Sequence, residues 1–295
     1  MTAETWGLAE GDEIAPGRYA MQLLGGGHRY EAYLSWDDRL HSLVVAKLLR
    51  PDLVQDTSAL RGLAAEATLV GSLDHPVLLR SFGAVLGGDR PHLVLEHLEG
   101  PRLSTLLRRQ RRLAVEQALP LGAQLSSALI YMHHERVVHL DVKPRNIIMG
   151  GPPRLIDLSV ARSFEDAERA HKPIGTDAYM APEQCEPNLV GPMGPQSDVW
   201  GWAVTMHEAL TGALPFPKVG AEDADRFPQL YLDPAPLDDD IPDVLADLVM
   251  SGLQKRPEDR PTQRDIADQV ESLQAALPRR VVLSRLRPGS RRTHQ

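Results

Sequence analysis

The most constraining feature of this chain is the stretch from His139 to Asn146, which has the spacing H-x-D-x-K-x-x-N. It places a carboxylate (Asp141), an ammonium group (Lys143) and an amide (Asn146) close together, and Asp157 supplies a second carboxylate downstream. Carboxylate and amide oxygens suit hard divalent cations such as Mg²⁺. A proton acceptor, a cation and two metal ligands in so short a span suit chemistry at a phosphoryl group, where positioning and charge neutralisation dominate.

Composition is that of an ordinary globular protein. Hydrophobic residues make up 42% and charged residues 24% of the 295 positions, which is ample material for a buried core. The single cysteine, Cys185, excludes an intramolecular disulfide framework and fits a reducing compartment. Residues 1–13 are acidic and lack a basic-then-apolar leader, and no apolar run is long enough for a bilayer. The sequence therefore predicts a cytoplasmic protein without a membrane span.

Charge is distributed unevenly along the chain. Residues 279–295 hold six arginines and no acidic residue, so the net charge of −8 divides into +6 on this tail and −14 on the other 278 residues. An acidic body argues against a nucleic-acid-binding fold. The tail is expected to be a solvated terminus, with contact to an acidic partner or surface as the alternative.

Hydrophobic periodicity divides the chain into two regions that meet near Glu99-Gly100-Pro101. The first region is predicted to be mostly strands, with one helix over 60–73 and a hairpin around Gly87-Gly88-Asp89. The second is predicted to be mostly helical. Its predicted helices are 103–107, 115–134, 200–211, 244–253 and 263–277. Its predicted surface loops are 186–196 and 215–242.

A series of motifs follows this layout in order. A glycine triplet lies between two strands, Lys47 follows Val45-Ala46 on a strand, and Glu66 lies in the middle of the following helix. After the His139–Asn146 stretch come Asp157, Ala181-Pro182-Glu183 and Arg260. Over residues 19–275 the chain resembles the eukaryotic-type protein kinases, most closely the bacterial serine/threonine kinases.

The resemblance implies a fold and an activity. It implies an α+β, bilobal protein-kinase fold, with a small, mostly-β lobe that carries one key helix and a larger helical lobe. It also implies ATP-dependent transfer of the γ-phosphoryl group to serine or threonine hydroxyls of a protein substrate, with Mg²⁺, or Mn²⁺ in its place. The implied divisions are an N-terminal extension (1–18), the first lobe (19–98), the second lobe (99–278) and the basic tail (279–295).

The catalytic roles that the resemblance implies fall on five residues. Asp141 would accept the proton of the acceptor hydroxyl, and Lys143 would neutralise the γ-phosphoryl oxygens. Asn146 and Asp157 would hold Mg²⁺. Thr176, in the segment that resembles the kinase substrate-binding loop, would hydrogen-bond near Asp141 and Lys143.

Nucleotide binding is implied for a second set of residues. Lys47 would contact the α- and β-phosphates, with Glu66 as its ion-pair partner; Glu99 and Asp74 are nearby in sequence, but only Glu66 lies mid-helix. The Glu96 carbonyl and the Leu98 amide would pair with the adenine edge. The glycines that would approach the phosphates and the side chains that would form the apolar walls are Gly25, Gly26, Gly27, Ala32, Ala46 and Ile148.

The remaining motif residues are expected to be structural. Glu183 is predicted to pair with Arg260 as a buried ion pair, and Asp198 to hydrogen-bond backbone amides beneath the catalytic stretch.

The chain departs from the family pattern in four places. Tyr30 and Ala32 stand where the third glycine and the valine of the phosphate-binding loop are usual, and Ser159 follows Asp157-Leu158 in place of glycine. Leu140 replaces the arginine that normally reads a phosphorylated activation segment, and Ser163, the only free hydroxyl residue there, is followed by acidic residues. We therefore predict basal activity without phosphorylation of that segment.

Two other functions stay open. A pseudokinase, or a weakly active kinase-like scaffold that binds nucleotide and regulates a partner, is suggested by the departures and opposed by the intact catalytic set. A small-molecule phosphotransferase of the aminoglycoside-kinase type would share the Asp…Asn…Asp pattern. It would not be expected to carry Lys143, Ala181-Pro182-Glu183 or Arg260.

Overall fold

A six-stranded sheet forms the first lobe of the computed structural model, which describes residues 4–218, 220 and 226–277. Its strands lie in the order β1-β2-β3-β4-β6-β5, and all neighbours are antiparallel. The elements of this lobe are β1 (Glu13–Ala15), β2 (Arg18–Gly26), β3 (Tyr30–Asp37), β4 (Ser42–Leu49), α1 (Thr57–Ser72), β5 (Ser81–Val85) and β6 (His92–Glu96). The predicted hairpin is confirmed as β5 and β6, and the predicted helix as α1.

Helix α1 owes its position to one cap and one buried face. Asp56 precedes its first turn and accepts a hydrogen bond from the Ala59 amide at 2.7 Å, which satisfies a backbone donor that the helix leaves free. Leu63 and Val70 lie seven residues apart on one face and are buried, with Glu66 buried between them. The packing of this face aims a carboxylate at the sheet.

The N-terminal segment is part of the first lobe. Strand β1 pairs with β2, and the Trp6 side chain donates to the Leu49 carbonyl at 2.8 Å. Trp6 and Leu8 also pack against a cluster of buried residues that includes Ile14 and Tyr33. The predicted boundary between residues 18 and 19 therefore divides a continuous sheet, because hairpin pairing joins both sides of it.

Helices dominate the second lobe. They are α2 (Leu103–Gln110), α3 (Val115–His134), α4 (Phe164–Glu168), α5 (Pro182–Cys185), α6 (Pro187–Val190), α7 (Pro195–Thr211), α8 (Asp243–Ser251) and α9 (Gln263–Ala276). Short antiparallel strand pairs lie between them: β7 (Val137–Val138) with β10 (Arg162–Ser163), and β8 (Ile147–Met149) with β9 (Pro153–Leu155). No helix among the described residues is long and apolar enough to cross a lipid bilayer.

The core of this lobe lies between α3 and α7. The buried residues of α3 include the stripe that its sequence predicts: Leu121, Leu125, Ala128, Leu129 and Met132. Facing it, α7 buries Trp200 and Trp202, and the Trp202 indole donates to the Gly122 carbonyl at 3.1 Å. The packing of α3 against α7 therefore holds in place the loops that connect to these helices.

Both predicted surface loops of the second lobe contain some helical structure, and several helices begin or end a few residues away from their predicted bounds. The stretch 186–196 is not simply a loop, because α6 occupies part of it and α7 begins at Pro195. Proline is favoured in the first turn of a helix, since its fixed φ is already helical and an N–H at that position would have no partner within the helix. The loop prediction for 215–242 holds apart from a short 3₁₀ turn, Pro228–Leu230, for the residues that are described. The predicted tail 279–295 lies outside the described residues.

Candidate active site

Lys47 links the two lobes at the top of the cleft. Its ammonium group donates to Glu66 at 2.7 Å and to Asp157 at 2.9 Å. Lys47 lies on β4, Glu66 on α1 and Asp157 after β9, so three separate elements converge on one cation. The predicted partner Glu66 therefore forms the ion pair, as expected from its place in the middle of α1.

The electrostatics of this cluster favour the charged forms of Lys47 and Asp157. Burial lowers the pKa of Lys47, but Glu66 and Asp157 outweigh burial, so the net shift is upward. Burial raises the pKa of Asp157, yet Lys47 and Ser159 bring it well below its usual range. For Glu66, burial dominates and the pKa is raised. One carboxylate oxygen, Glu66 Oε2, is buried and has no hydrogen-bond partner among the described residues.

A second cluster surrounds Asp141. Lys143 donates to Asp141 Oδ2 at 2.6 Å, and Asn146 Nδ2 donates to the same oxygen at 2.9 Å. The Thr176 hydroxyl donates to Asp141 Oδ1 at 2.8 Å and accepts a bond from Lys143. Asp141, Lys143, Asn146 and Thr176 thus lie together in the predicted arrangement.

Asp198, at the start of α7, holds the catalytic loop from below. Its two carboxylate oxygens accept hydrogen bonds from the backbone amides of His139 at 2.9 Å and Leu140 at 2.8 Å. The predicted capping role of Asp198 is therefore confirmed. His133 Nε2 also lies 2.9 Å from Asp198, a contact that the sequence did not indicate. These bonds hold Leu140 at a φ of 62°, a conformation that costs energy for a residue with a side chain.

The residues assigned to Mg²⁺ have suitable oxygen atoms. Asn146 donates from its amide nitrogen to Asp141, so its amide oxygen is the atom that would bind a cation. The Asp157 side chain keeps 38% of its surface exposed and its low pKa keeps it ionised. The described residues contain no group of three His, Cys, Asp or Glu side chains that could hold a metal. Mg²⁺ needs only one or two protein ligands when phosphate and water oxygens complete its shell, so Asn146 and Asp157 fit that ion.

The register of β4 corrects one predicted pocket residue. Ala46 packs with Ala20 and Tyr33 in the cluster on the opposite face of the sheet from Lys47. Side chains alternate along a strand, so Val45, not Ala46, shares the face of Lys47, and Val45 packs against the main core. Ala32 pairs with Lys47 across β3 and β4, which puts it on the predicted face.

The connection between the lobes contains the predicted adenine contacts. In the described part of the chain, the Leu98 amide has no backbone hydrogen bond. The Glu96 side chain forms an ion pair with Arg154 at 2.5 Å, which ties the connection to β9. Ile148, on β8, is half-buried, and an isolated antiparallel bridge joins it to Arg102. The adenine roles of Glu96, Leu98 and Ile148 stay predictions.

The glycine turn between β2 and β3 is closely tied down. The Gly27 amide donates to the Tyr30 carbonyl at 2.9 Å, and a Cβ on Gly26 would lie 2.8 Å from that carbonyl oxygen. Arg50 donates to the Gly27 carbonyl at 2.5 Å and forms an ion pair with Glu31. The turn therefore needs glycine at position 26, and Arg50 limits its movement.

Tyr30 is a site residue whose role the sequence did not indicate. Its ring lies over the Lys47 ammonium, with 4.6 Å between the nitrogen and the ring centroid. Burial and the nearby Glu66 raise the pKa of its hydroxyl, so the phenol stays neutral at pH 7. The only signal in the sequence is that Tyr30 stands where the family has glycine.

The ion pair between Glu183 and Arg260 is confirmed and fully buried. Both side chains are 0% exposed, and the guanidinium donates to the two carboxylate oxygens at 2.7 and 2.9 Å. Ser197 adds a third bond to Glu183 at 2.8 Å. This pair joins α5 to the turn before α9 and anchors the segment that carries Thr176.

Leu140 anchors the segment that follows Asp157 through apolar contacts. It is buried with Ala167 of α4 and with Met193, and Phe164 packs against this cluster. Ser163 is the N-cap of α4, because its hydroxyl accepts a hydrogen bond from the Asp166 amide at 3.1 Å. At position 140, where the family pattern has an arginine, the Leu140 side chain therefore packs against apolar residues.

Comparison with known proteins assigns the family. A family model described as "Protein kinase domain" matches residues 19–270, which is most of the chain. The chain belongs to the protein kinase family, and the predicted bilobal kinase fold is confirmed.

Similar curated proteins are bacterial kinases. The chain is 30% identical over 257 residues to the serine/threonine-protein kinase PknB of Mycobacterium leprae, with 82% of this chain and 40% of that protein covered. It is 32% identical over 232 residues to the serine/threonine-protein kinase PkaA of Streptomyces coelicolor, with 76% and 42% covered. The chain thus spans about two fifths of the length of these relatives.

Proposed function

We propose that the protein is an ATP-dependent serine/threonine protein kinase that transfers the γ-phosphoryl group to a protein hydroxyl. The observation that carries the proposal is a pair of side-chain clusters that adjoin where the Ile156 amide, beside Asp157, donates to the Asn146 carbonyl at 2.8 Å. Lys47, Glu66 and Asp157 form one cluster, and the other surrounds Asp141. One cluster suits the phosphates of a nucleotide and the other suits the hydroxyl that attacks them.

In this mechanism the chain supplies position and charge. Lys47, held by Glu66, binds the α- and β-phosphate oxygens. Asp141 orients the acceptor hydroxyl and accepts its proton as the hydroxyl oxygen bonds to the γ-phosphorus and the bond from that phosphorus to the bridging oxygen of ADP breaks, so that ADP leaves. Lys143 offsets charge on the transferred group. Mg²⁺, held by Asn146 and Asp157, would neutralise phosphate charge when bound. Hydrogen bonds of Lys47 to Glu66 and Asp157, and of Lys143 to Asp141, already orient these charged groups.

Transfer of label from γ-³²P-ATP to a generic protein substrate, in the presence of Mg²⁺, tests the proposal directly. We expect labelled phosphoserine or phosphothreonine with the wild-type protein and none above background with Asp141→Asn. Nucleotide binding without transfer to any protein would instead support the kinase-like scaffold. Transfer only to small hydroxyl compounds would support the small-molecule phosphotransferase.

One observation favours the scaffold as a second candidate. The Tyr30 ring covers Lys47, the cation that phosphates would contact. A ring that stays in place would hinder phosphate binding, whereas a ring that moves aside would not. Calorimetric titration with ATP and Mg²⁺ separates the two cases.

The cellular compartment and the partner of the protein are inferred from its residues. The buried free thiol of Cys185 fits the reducing cytoplasm. A protein substrate is the partner that the proposed activity requires, whereas contact of the tail with an acidic partner stays a prediction.

A further inference from the structure

Arg50 holds the glycine turn between β2 and β3 at two points. It directly follows the last residue of β4, and its backbone amide donates to the Arg29 carbonyl at 3.0 Å. Its guanidinium donates to the Gly27 carbonyl at 2.5 Å, and a Cβ on Gly26 would lie 3.3 Å from Arg50 Nη2. One residue therefore bonds to the turn on both sides of His28.

The same guanidinium reaches the N-terminal segment, residues 4–15. Arg50 Nη1 donates to the Glu4 carbonyl at 2.8 Å and forms an ion pair with Glu31 Oε1 at 2.9 Å. The other carboxylate oxygen of Glu31 accepts a hydrogen bond from the Trp6 amide at 3.3 Å. The side chains of Arg50 and Glu31 are only 12% and 2% exposed, so water competes little for these charge-assisted bonds. The N-terminal segment and the glycine turn thus share one cation.

This network lies on the face of the sheet opposite Lys47. Glu31 Oε2 also accepts a hydrogen bond from the Tyr33 hydroxyl at 3.0 Å, and Tyr33 packs in the apolar cluster of that opposite face. Tyr30, one residue before Glu31, places its ring over Lys47, as the alternation of side chains along a strand requires. Arg50 therefore acts on the turn from behind the sheet.

Ties of this kind prepare a glycine turn for binding phosphates. Gly25 has a φ of 143°, and the pairing of β2 with β3 is irregular between Leu23 and Gly25. Glycine lets the backbone approach phosphate oxygens, but it also allows an unrestrained turn many conformations. Bonds that restrict the turn before the nucleotide arrives lower the entropy cost of binding.

We propose that Arg50 is a positioning residue for the nucleotide phosphates, and that it makes the N-terminal segment part of the nucleotide site by joining that segment to the glycine turn. This inference rests on the proposed function, in which the turn approaches the phosphates. Arg50 acts through the backbone of the turn and touches no phosphate itself. The adenine contacts predicted at the lobe connection do not depend on it. Loss of Arg50 should therefore weaken the binding of ATP but not of adenosine.

Calorimetric titrations with Mg-ATP and with adenosine test this distinction. The variant Arg50→Met/Glu31→Gln removes the cation without leaving a buried, unpaired carboxylate. We expect its Kd for Mg-ATP to rise about tenfold, as for loss of one hydrogen bond to a charged group, while its Kd for adenosine stays within about twofold. The KM for ATP should rise in parallel, and the KM for the protein substrate should not change.

The far end of the same hairpin supplies a matched control. Arg18 of β2 forms an ion pair with Asp37 of β3 at 2.5 Å, and their side chains are 11% and 2% exposed, almost as in the Arg50–Glu31 pair. The two pairs lie at opposite ends of the β2–β3 register. Arg18→Met/Asp37→Asn should therefore cost comparable stability in a thermal melt but keep the wild-type ratio of the two Kd values.

Trp6→Ala tests the N-terminal segment separately. The Trp6 indole holds the segment by donating to the Leu49 carbonyl at 2.8 Å. The variant should raise the Kd for Mg-ATP about threefold, as for loss of one hydrogen bond. It should add nothing in the Arg50→Met/Glu31→Gln background, because the segment acts on the turn through Arg50.

Four results would overturn the inference. The first is an equal rise of both Kd values in Arg50→Met/Glu31→Gln, and the second is an equal loss of the preference for ATP in Arg18→Met/Asp37→Asn. The third is an effect of Trp6→Ala that is the same with and without Arg50. The fourth is a wild-type protein that binds Mg-ATP no more tightly than adenosine. Nucleotide binding without transfer to any protein would count against the proposed kinase function alone, because the Kd comparison needs no turnover.

Discussion

Two buried ion pairs, one in each lobe, differ in what surrounds them. The Glu183–Arg260 pair is closed to solvent, and both carboxylate oxygens and the guanidinium are hydrogen-bonded. The Lys47–Glu66 pair is open on one side: Glu66 Oε2 has no partner among the described residues, and Asp157, the other ligand of Lys47, is partly exposed. A fully satisfied pair is suited to holding elements together, while an incompletely satisfied one is suited to binding a ligand.

The largest expected effect is that of Asp141→Asn, which should lower turnover without lowering stability. Asp141→Asn removes the proton acceptor but keeps the shape of the side chain, so kcat should fall about 10²- to 10⁴-fold. The melting temperature and the Kd for ATP should stay near wild type, because Asp141 faces the acceptor. Steady-state kinetics, thermal melts and calorimetry measure the three quantities. Wild-type turnover in this variant would contradict the mechanism.

Loss of the closed pair, Glu183–Arg260, should affect stability more than catalysis. Arg260→Met leaves Glu183 buried without its partner, so the free energy of unfolding should fall by about 3–5 kcal/mol. Activity per folded molecule should be retained. Arg256→Met is the matched control, because Arg256 pairs with Glu258 in solvent and should cost at most about 1 kcal/mol. Equal losses in both variants, measured by urea unfolding, would refute the distinction.

Loss of the open pair, Lys47–Glu66, should affect catalysis more than stability. Lys47→Met should lower kcat/KM about 10²- to 10³-fold, as for loss of one preorganised electrostatic contact to the phosphates. Its loss of stability at pH 7 should be smaller than that of Arg260→Met, because Asp157 reaches water and Glu66, with its pKa already raised, takes up a proton readily.

The pH dependence of Lys47→Met follows from that raised pKa. A carboxyl group whose pKa is higher in the folded than in the unfolded state binds its proton more tightly in the fold, so lowering the pH favours folding. Lys47 lowers the pKa of Glu66 in the wild-type protein, so in Lys47→Met that pKa should rise further and the stability difference from wild type should shrink between pH 7 and pH 5 in urea unfolding. A difference that grows over this range would show that Glu66 stays charged in the variant.

Tyr30 gives a smaller test of the open pair. Tyr30→Phe keeps the ring over Lys47 and should keep kcat/KM within about twofold, whereas Tyr30→Gly loses a cation–π contact of about 0.5–1 kcal/mol and should lower it two- to fivefold. Steady-state kinetics with ATP as the varied substrate measures both. If Tyr30→Gly instead raises activity, the ring obstructs productive phosphate binding, which would favour the weakly active alternative.

The smallest expected effect concerns the segment after Asp157. Because Leu140 holds it by apolar packing, treatment with a phosphatase should leave the rate unchanged. Ser163→Asn should do the same, since asparagine removes the hydroxyl yet keeps the N-cap of α4. A tenfold drop in either experiment, about 1.4 kcal/mol of barrier, would show that a phosphate contributes there.

The sequence predicted best where one local period or one short motif sufficed. The apolar stripe of α3 and the spacing of Asp141, Lys143 and Asn146 each lie within a single element or loop. Ala46 shows the limit: the sequence located the strand, but its two faces are both apolar, so the inward face could not be identified from hydrophobicity. The β3–β4 register identifies Val45 and Ala32 as the residues on the side of Lys47.

By itself, the sequence determined the family, the two-lobed layout and the residue types in the cleft, because these depend on local spacing and periodicity. Tertiary structure alone decided the contacts between distant groups that no motif indicates. It placed His133 against Asp198 and Tyr30 over Lys47. Such contacts depend on how packed elements orient their side chains across long stretches of chain, and no local pattern records that orientation.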